Sequence, residues 1–176
     1  MKTMTTPTAT MGGQAMTHTQ PDIKHAMSCF GTGVTVITAH HAEQDFGMTC
    51  NSFNTVSLDP AIVLWSIRKS STNRAHFEAA GGYTVNILSL EQQPLAMRFT
   101  KGSHAERFAG LELARLASGR PQIVGSMAWF DCELEQIISA GDHDIMLGRV
   151  LNFGVNTQAS AEPLIYAKRQ FGRLSF

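Results

Sequence analysis

Five stretches combine β-branched residues with alternating apolar and polar positions: residues 34–39 (VTVITA), 61–67 (AIVLWSI), 83–88 (YTVNIL), 128–138 (AWFDCELEQII) and 144–155 (DIMLGRVLNFGV). At this length and composition they predict strands. In the fourth, Phe130, Cys132 and Leu134 fall on one side and Asp131, Glu133 and Glu135 on the other, which marks a half-buried antiparallel strand. A helical period precedes the first strand: Asp22 is placed to cap a helix carrying Ile23, Ala26, Met27 and Phe30, and Gly31-Thr32-Gly33 stops it. Residues 71–80 read as a helix entered through Ser70-Ser71-Thr72 and ended by Gly81-Gly82. Ser89-x-x-Gln92 and Ser103-x-x-Glu106 are capping boxes that open two more. Many strands, few helices and no regular strand–helix alternation favour a closed or nearly closed antiparallel barrel over a doubly wound sheet.

Residues 1–20 contain seven threonines, four methionines and two adjacent glycines. They hold too little apolar surface to offset the entropy of ordering, so the expectation is a flexible tail followed by one domain over 21–176. A chain of 176 residues can bury most of its surface without a disulfide or a structural metal.

Charge narrows the range of partners. Fourteen basic and fourteen acidic residues cancel, so nothing suggests a surface for nucleic acid or an anionic membrane. Charged residues make up 16% of the chain, against roughly 25% in ordinary soluble domains. A surface so short of charge points to area covered by a second copy. Cys29, Cys50 and Cys132 are an odd number with no CxxC spacing, which suits reduced thiols and a cytoplasmic location. No apolar run reaches the roughly 18 residues of a membrane span, and no signal peptide is apparent.

GxSxG, HExxH, P-loop and GxGxxG patterns are all absent. Strand geometry would turn the rings of His40 and His41 to opposite faces, so no metal site is expected there. The informative feature is a run of small hydroxyl and amide residues at strand ends: Thr49, Asn51, Ser52, Thr55 and Ser57, then Ser66, then Ser70 to Asn73. As caps and turn formers such residues are ordinary. As a set they also offer neutral donors and acceptors to a flat polar heterocycle, with a helix N-terminus after Arg68 and Lys69 for a phosphate.

Six motifs in register give a specific resemblance: GTGVTVIT (31–38), GMTCNSFNTVSLDP (47–60), the strand 61–67 followed by Ser70-Ser71-Thr72, VNIL (85–88) with Arg107-Phe108, GDHDIMLGRV (141–150) and PLIY (163–166). Together they resemble the flavin reductase domain family, the FMN-binding split-barrel group that includes the reductase components of two-component flavin monooxygenases. The resemblance implies a mainly β, homodimeric Greek-key split barrel that reduces FMN or FAD with NADH or NADPH. Reduced flavin would then diffuse to a separate oxygenase. It places the isoalloxazine edge against Thr49, Cys50, Asn51, Ser52 and Ser57, and the ribityl chain and phosphate near Ser66 and Arg68. Ser71 and Thr72 would hold the phosphate at the helix N-terminus, Phe99 and Lys101 would wall the flavin tail, and His143 and Tyr166 would lie beside the nicotinamide. Ala61, Cys50, Thr100 and Phe171 depart from the family's usual residues. Trp65 is expected in the core or in dimer packing rather than stacked on a flavin.

Two other readings stay open at this level. One is an enzyme that retains its flavin and reduces a corrinoid, a ferric complex or a redox protein; the other is a non-catalytic module binding flavin or haem.

Overall fold

Each apolar run forms a strand, and the turns between runs decide which strands become neighbours. The computed structural model describes residues 19–157 and 162–174. In chain order the elements are α1 (Gln20–Ser28), β1 (Thr32–Gly33), β2 (Thr35–His41), β3 (Gln44–Cys50), β4 (Asn54–Leu58), β5 (Ala61–Arg68), α2 (Arg74–Ala79) and β6 (Gly82–Ile87). A 3-10 turn (Leu90–Gln92) then runs into α3 (Gln93–Arg98), followed by α4 (His104–Phe108), β7 (Leu113–Arg115), β8 (Pro121–Ile123), β9 (Ala128–Ala140), β10 (His143–Val155), β11 (Ile165–Ala167) and β12 (Gln170–Gly172).

Seven strands pair antiparallel in the order β3-β2-β6-β9-β10-β5-β4. β3 and β4 are therefore opposite edges of one sheet, yet only residues 51–53 separate them in sequence. A chain crossing from Cys50 to Asn54 covers at most about 14 Å. The sheet can satisfy that tether only by rolling up until its edges nearly meet, which produces a barrel with a seam left unpaired. β1, β11 and β12 form a small second sheet, and β7 and β8 a third.

Two apolar clusters lie on either side of β2. Ile37 and Ala39 point inward with Val63, Trp65, Ile67, Tyr83, Val85, Cys132 and Met146. Val34 and Val36 point outward to Leu88, Ala96, Phe99, Ile123 and Leu164 beneath the helices. Trp65 is thus wholly buried, as its sequence context suggested. Tyr83 reaches across the barrel to donate to the Met146 carbonyl at 3.2 Å, passing over Gly148 where any Cβ would lie 2.2 Å from its hydroxyl.

Several boundaries differ from the expected ones. Residues 1–18 of the expected tail lie outside the described residues, but Gln20 already belongs to α1 and Thr19 is its N-cap. Asp22 is not its cap residue; its carboxylate accepts from the Thr19 N–H at 3.0 Å and the Thr19 hydroxyl at 2.6 Å. The helix expected over 71–80 begins only at Arg74. Residues 71–73 form a turn in which the Ser71 carbonyl accepts from the Arg74 N–H and the Ser71 hydroxyl from the Asn73 N–H. Gly81 ends the helix at φ +62°. Both capping boxes are present, though the helices they open are short. Asp131, expected to face solvent, is buried by the β7–β8 hairpin, where Arg120 donates to it at 2.8 Å.

α4 is joined to β3 through aromatic contacts. Phe46 stacks on His76 of α2 with centroids 4.1 Å apart, and meets His104 edge-on at 4.9 Å. The His104 Nδ1 is buried with no hydrogen-bond partner among the described residues. Burial first, then the charges of Arg107 and His76, hold its pKa below the ordinary 6.5. The folded chain therefore binds this proton less tightly than the unfolded chain, so the stability it contributes is complete above about pH 6.5 and is lost as the pH falls. We expect urea midpoints to drop between pH 7.5 and 5.5, and His104→Phe to flatten that drop; an equally steep drop in the variant would remove His104 as its source.

Candidate active site

The seam of the barrel is where alternation leaves polar side chains with nothing to pack against. Along β5, Val63, Trp65 and Ile67 turn inward, which sends Ser66 and Arg68 to the opposite face. β10 pairs with β5 so that His143 lies opposite Arg68 and Ile145 opposite Ser66, while Asp144 and Met146 are buried. Directly opposed residues have Cβ atoms about 5 Å apart, so these four form one patch. From across the seam come Met48, Thr49 and Cys50 of β3 and the linker residues Asn51 and Ser52. With Ser71 and Ala140 they line an open hollow of about 480 Å³.

Ser52 fastens the seam. β4 pairs with β5 only as far as Leu64, leaving the following part of β5 with an open edge. The Ser52 hydroxyl accepts from the Ser66 N–H at 2.9 Å and donates to the Ser66 carbonyl at 3.3 Å, and it lies 3.1 Å from the Cys50 sulfur. Thr49 is held similarly, its hydroxyl donating to the Ala96 carbonyl at 2.5 Å. Burial raises the Cys50 pKa, against hydrogen bonds from Ser52, so Cys50 lines the hollow as a neutral thiol rather than a nucleophile.

His143 is about one-third exposed, and its Nδ1 lies 2.8 Å from an Asp142 carboxylate oxygen. That contact holds the Asp142 carboxyl below its ordinary range. Asp144, the other acidic neighbour in sequence, points away and receives Arg74 Nε at 2.5 Å. No carboxylate lines the hollow, and Arg68 makes no side-chain hydrogen bond among the described residues.

A second hollow of about 560 Å³ adjoins the first and shares Thr49 and Asn51 with it. Its walls include Val34, Met97, Thr100, Tyr166 and Phe171. The cleft thus unites nine of the expected residues: Thr49, Cys50, Asn51, Ser52, Ser66, Arg68, Ser71 and His143 in the first hollow, and Tyr166 in the second. Four others fall elsewhere. Ser57 pairs with Ile62, four strand positions or roughly 13 Å from Ser66. Thr72 is exposed and lines neither hollow. The Phe99 side chain is buried against Phe108, and only its carbonyl approaches the cleft, accepting from the Thr49 N–H at 3.4 Å. Lys101 is exposed beyond Thr100. No helix N-terminus opens at Ser71, because α2 begins three residues later. Met48, Ala140 and Ile145 were not foreseen; Ile145 follows from His143 by the two-residue period of the strand. Among the described residues no three His, Cys, Asp or Glu side chains are grouped to hold a metal ion.

The donors fit a flat polar heterocycle carrying one phosphate: neutral hydroxyls and amides around the opening, and one guanidinium with no side-chain hydrogen bond among the described residues, its charge felt by the nearby Asp142 carboxylate. The profile of a family described as "Flavin reductase like domain" matches residues 27–175. An FMN reductase (NADH) of Agrobacterium fabrum is 40% identical over 152 residues, covering 86% of this chain and 84% of that one. The reductase component of a flavin-dependent trigonelline monooxygenase of Acinetobacter baylyi is 43% identical over 133 residues; this covers 75% of the chain but 43% of the relative, so the chain spans less than half of that protein. Among solved structures, an NADH:FAD oxidoreductase of Streptomyces globisporus C-1027 in complex with NAD and FAD fragments superposes with a TM-score of 0.82 at 29% identity, covering 89% of this chain and 93% of the other.

Removing the Ser52 hydroxyl should loosen the seam without disturbing either core. Ser52→Ala is expected to cost about 1 kcal/mol of stability and to speed amide exchange at Ser66 more than at Trp65 or Ile67. Unchanged exchange at Ser66 would show that the seam is held by other contacts.

Proposed function

The chain belongs to the flavin reductase like domain family, and on that premise we propose that it reduces FMN or FAD at the seam cleft with NADH or NADPH and releases the reduced flavin to a separate oxygenase. The observation that carries this reading is the register of β5 against β10, which sets Arg68 and Ser66 beside His143 on the one face free of core packing. Bound flavin supplies a ring able to accept hydride from a reduced nicotinamide, so the protein needs neither nucleophile nor strong base. Its task is to hold two rings in contact at about 3–3.5 Å. Thr49 to Ser52 border the ring edge, and the N–H groups of residues 51–53 lie outside the sheet ladders, where they are placed to donate to a ring carrying negative charge. Arg68 and Ser71 hold the phosphate by charge-assisted and neutral hydrogen bonds. His143, oriented by Asp142, borders the nicotinamide. The cleft's open mouth suits a flavin that leaves after reduction.

The partner includes a second copy of the chain. Leu58 on β4 is 92% exposed and Phe153 on β10 is 63% exposed, and Val56 and Val155 on the same two strands are exposed as well, with β5 alone between those strands. An area of this kind is normally covered. The three cysteines are free thiols, as a cytoplasmic location would keep them; no helix among the described residues is long and apolar enough to cross a membrane.

An anaerobic absorbance trace at 450 nm, with NADH and many-fold excess FMN or FAD, tests the activity. Bleaching of the whole flavin pool is expected; bleaching limited to one equivalent would indicate a retained prosthetic group. His143→Ala should raise KM for the nicotinamide about tenfold and leave flavin Kd nearly unchanged, and the reverse pattern would reassign His143 to the flavin. Light scattering should give twice the chain's 19.2 kDa, and Leu58→Asp with Phe153→Asp should give monomers; a dimer surviving both changes would place the interface elsewhere.

A further inference from the structure

The second hollow is larger than the first, and the reading above leaves most of it without a role. Of its nine lining residues, Arg169 is the one that carries a formal charge. Among the described residues its guanidinium has no hydrogen-bond or ion-pair partner. Arg169 sits in the two-residue turn between β11 and β12, closing the Ala167–Gln170 pair. Lys168 and Arg169 adopt φ values of +48° and +66°, a region that Asn and Gly occupy with least strain. The turn is fixed in place, because the Lys168 N–H donates to the Ser28 carbonyl at 2.5 Å, at the end of α1. A cation is therefore held at the mouth of an otherwise uncharged hollow. Within the same hollow, Tyr166 and Phe171 meet edge to face with centroids 5.3 Å apart, giving an apolar aromatic wall.

A mononucleotide flavin brings one phosphate, and Arg68 is available for it in the adjoining hollow. A second guanidinium, this one unpartnered among the described residues and beside an aromatic pair, matches a second phosphate group with a purine attached. We propose that Arg169 is a specificity-determining contact for the adenosine diphosphate half of a dinucleotide, its guanidinium donating to the pyrophosphate while the adenine lies against Tyr166 and Phe171. This inference rests on the reading of the cleft as a flavin and nicotinamide site. Two dinucleotides share the chemistry, FAD and the nicotinamide donor, and competition distinguishes them.

The probe is ADP, titrated by calorimetry into the full chain and used as an inhibitor of FMN or FAD reduction. Arg169→Gly should weaken ADP binding about tenfold or more, and Arg169→Lys by less, since a point charge replaces a planar fork. FMN affinity should stay within about twofold in both, and the urea midpoint of Arg169→Gly should not fall, because glycine accepts the positive φ without strain. ADP competing with NADH in the wild type would assign the hollow to the donor's adenylate, and ADP competing with FAD would assign it to the flavin's; either pattern upholds the proposal. It is overturned if ADP fails to bind the wild type, or binds Arg169→Gly equally well. If ADP binds through Arg169 but the wild type reduces no flavin, the reductase reading falls and the adenylate site stands.

Discussion

A three-residue tether between opposite edges of a seven-stranded sheet governs this structure. Residues 51–53 leave β3 on one edge and enter β4 on the other, and a chain so short cannot span an open, twisted sheet. Rolling the sheet brings its edges together without pairing them, and along the unpaired seam strand ends present polar groups to a ligand. The same tether carries Asn51 and Ser52 into the cleft. Fold and site are thus two consequences of one short connection, and Ser52 hydrogen-bonded to the Ser66 backbone holds the opening at a fixed width.

The strands that build the interior were legible because their apolar residues alternate or cluster: 34–39, 61–67, 83–88, 128–138 and 144–155 all appear as strands near the expected bounds. β3 and β4 were not read as strands, and the reason is physical. Gly47 takes an apolar position because any side chain there would strike Phe99 and Phe108, Thr49, Asn51 and Ser52 line the cleft, and a register shift interrupts β4 between Thr55 and Ser57, so neither strand shows the period that marks one. The residues that make the site hid the elements that carry them. Asp131 misled in the opposite direction, since alternation shows which face a residue takes and cannot show that a distant hairpin will bring Arg120 over that face.

The candidate site was legible where residue type and strand period agreed. Ser66, Arg68 and His143 meet because two strands pair in one register, and sequence motifs pointed to each of them. Phe99 shows the limit: its neighbours Thr100 and Lys101 are exposed, but the ring turns inward against Phe108 because the helix end at Phe99 is packed beneath β3. Ser71 lies in the cleft through the turn it forms rather than through a helix terminus. Arg169 offered no signal, since a Lys-Arg turn reads as solvated charge until the hollow behind it is seen.

β2 is buried on both faces, with Ile37 and Ala39 in the inner core and Val36, together with Val34 just before the strand, in the outer one. A wall common to two cores couples their melting: neither can loosen without exposing the reverse side of the same strand. The inner and outer halves should therefore unfold in a single transition, without a stable half-melted state. The cleft draws Thr49 and Cys50 from β3, which is paired along its whole length to β2. That wall of the cleft is therefore as firmly held as the core behind it, while the opposite side depends on the Ser52 contact across the seam.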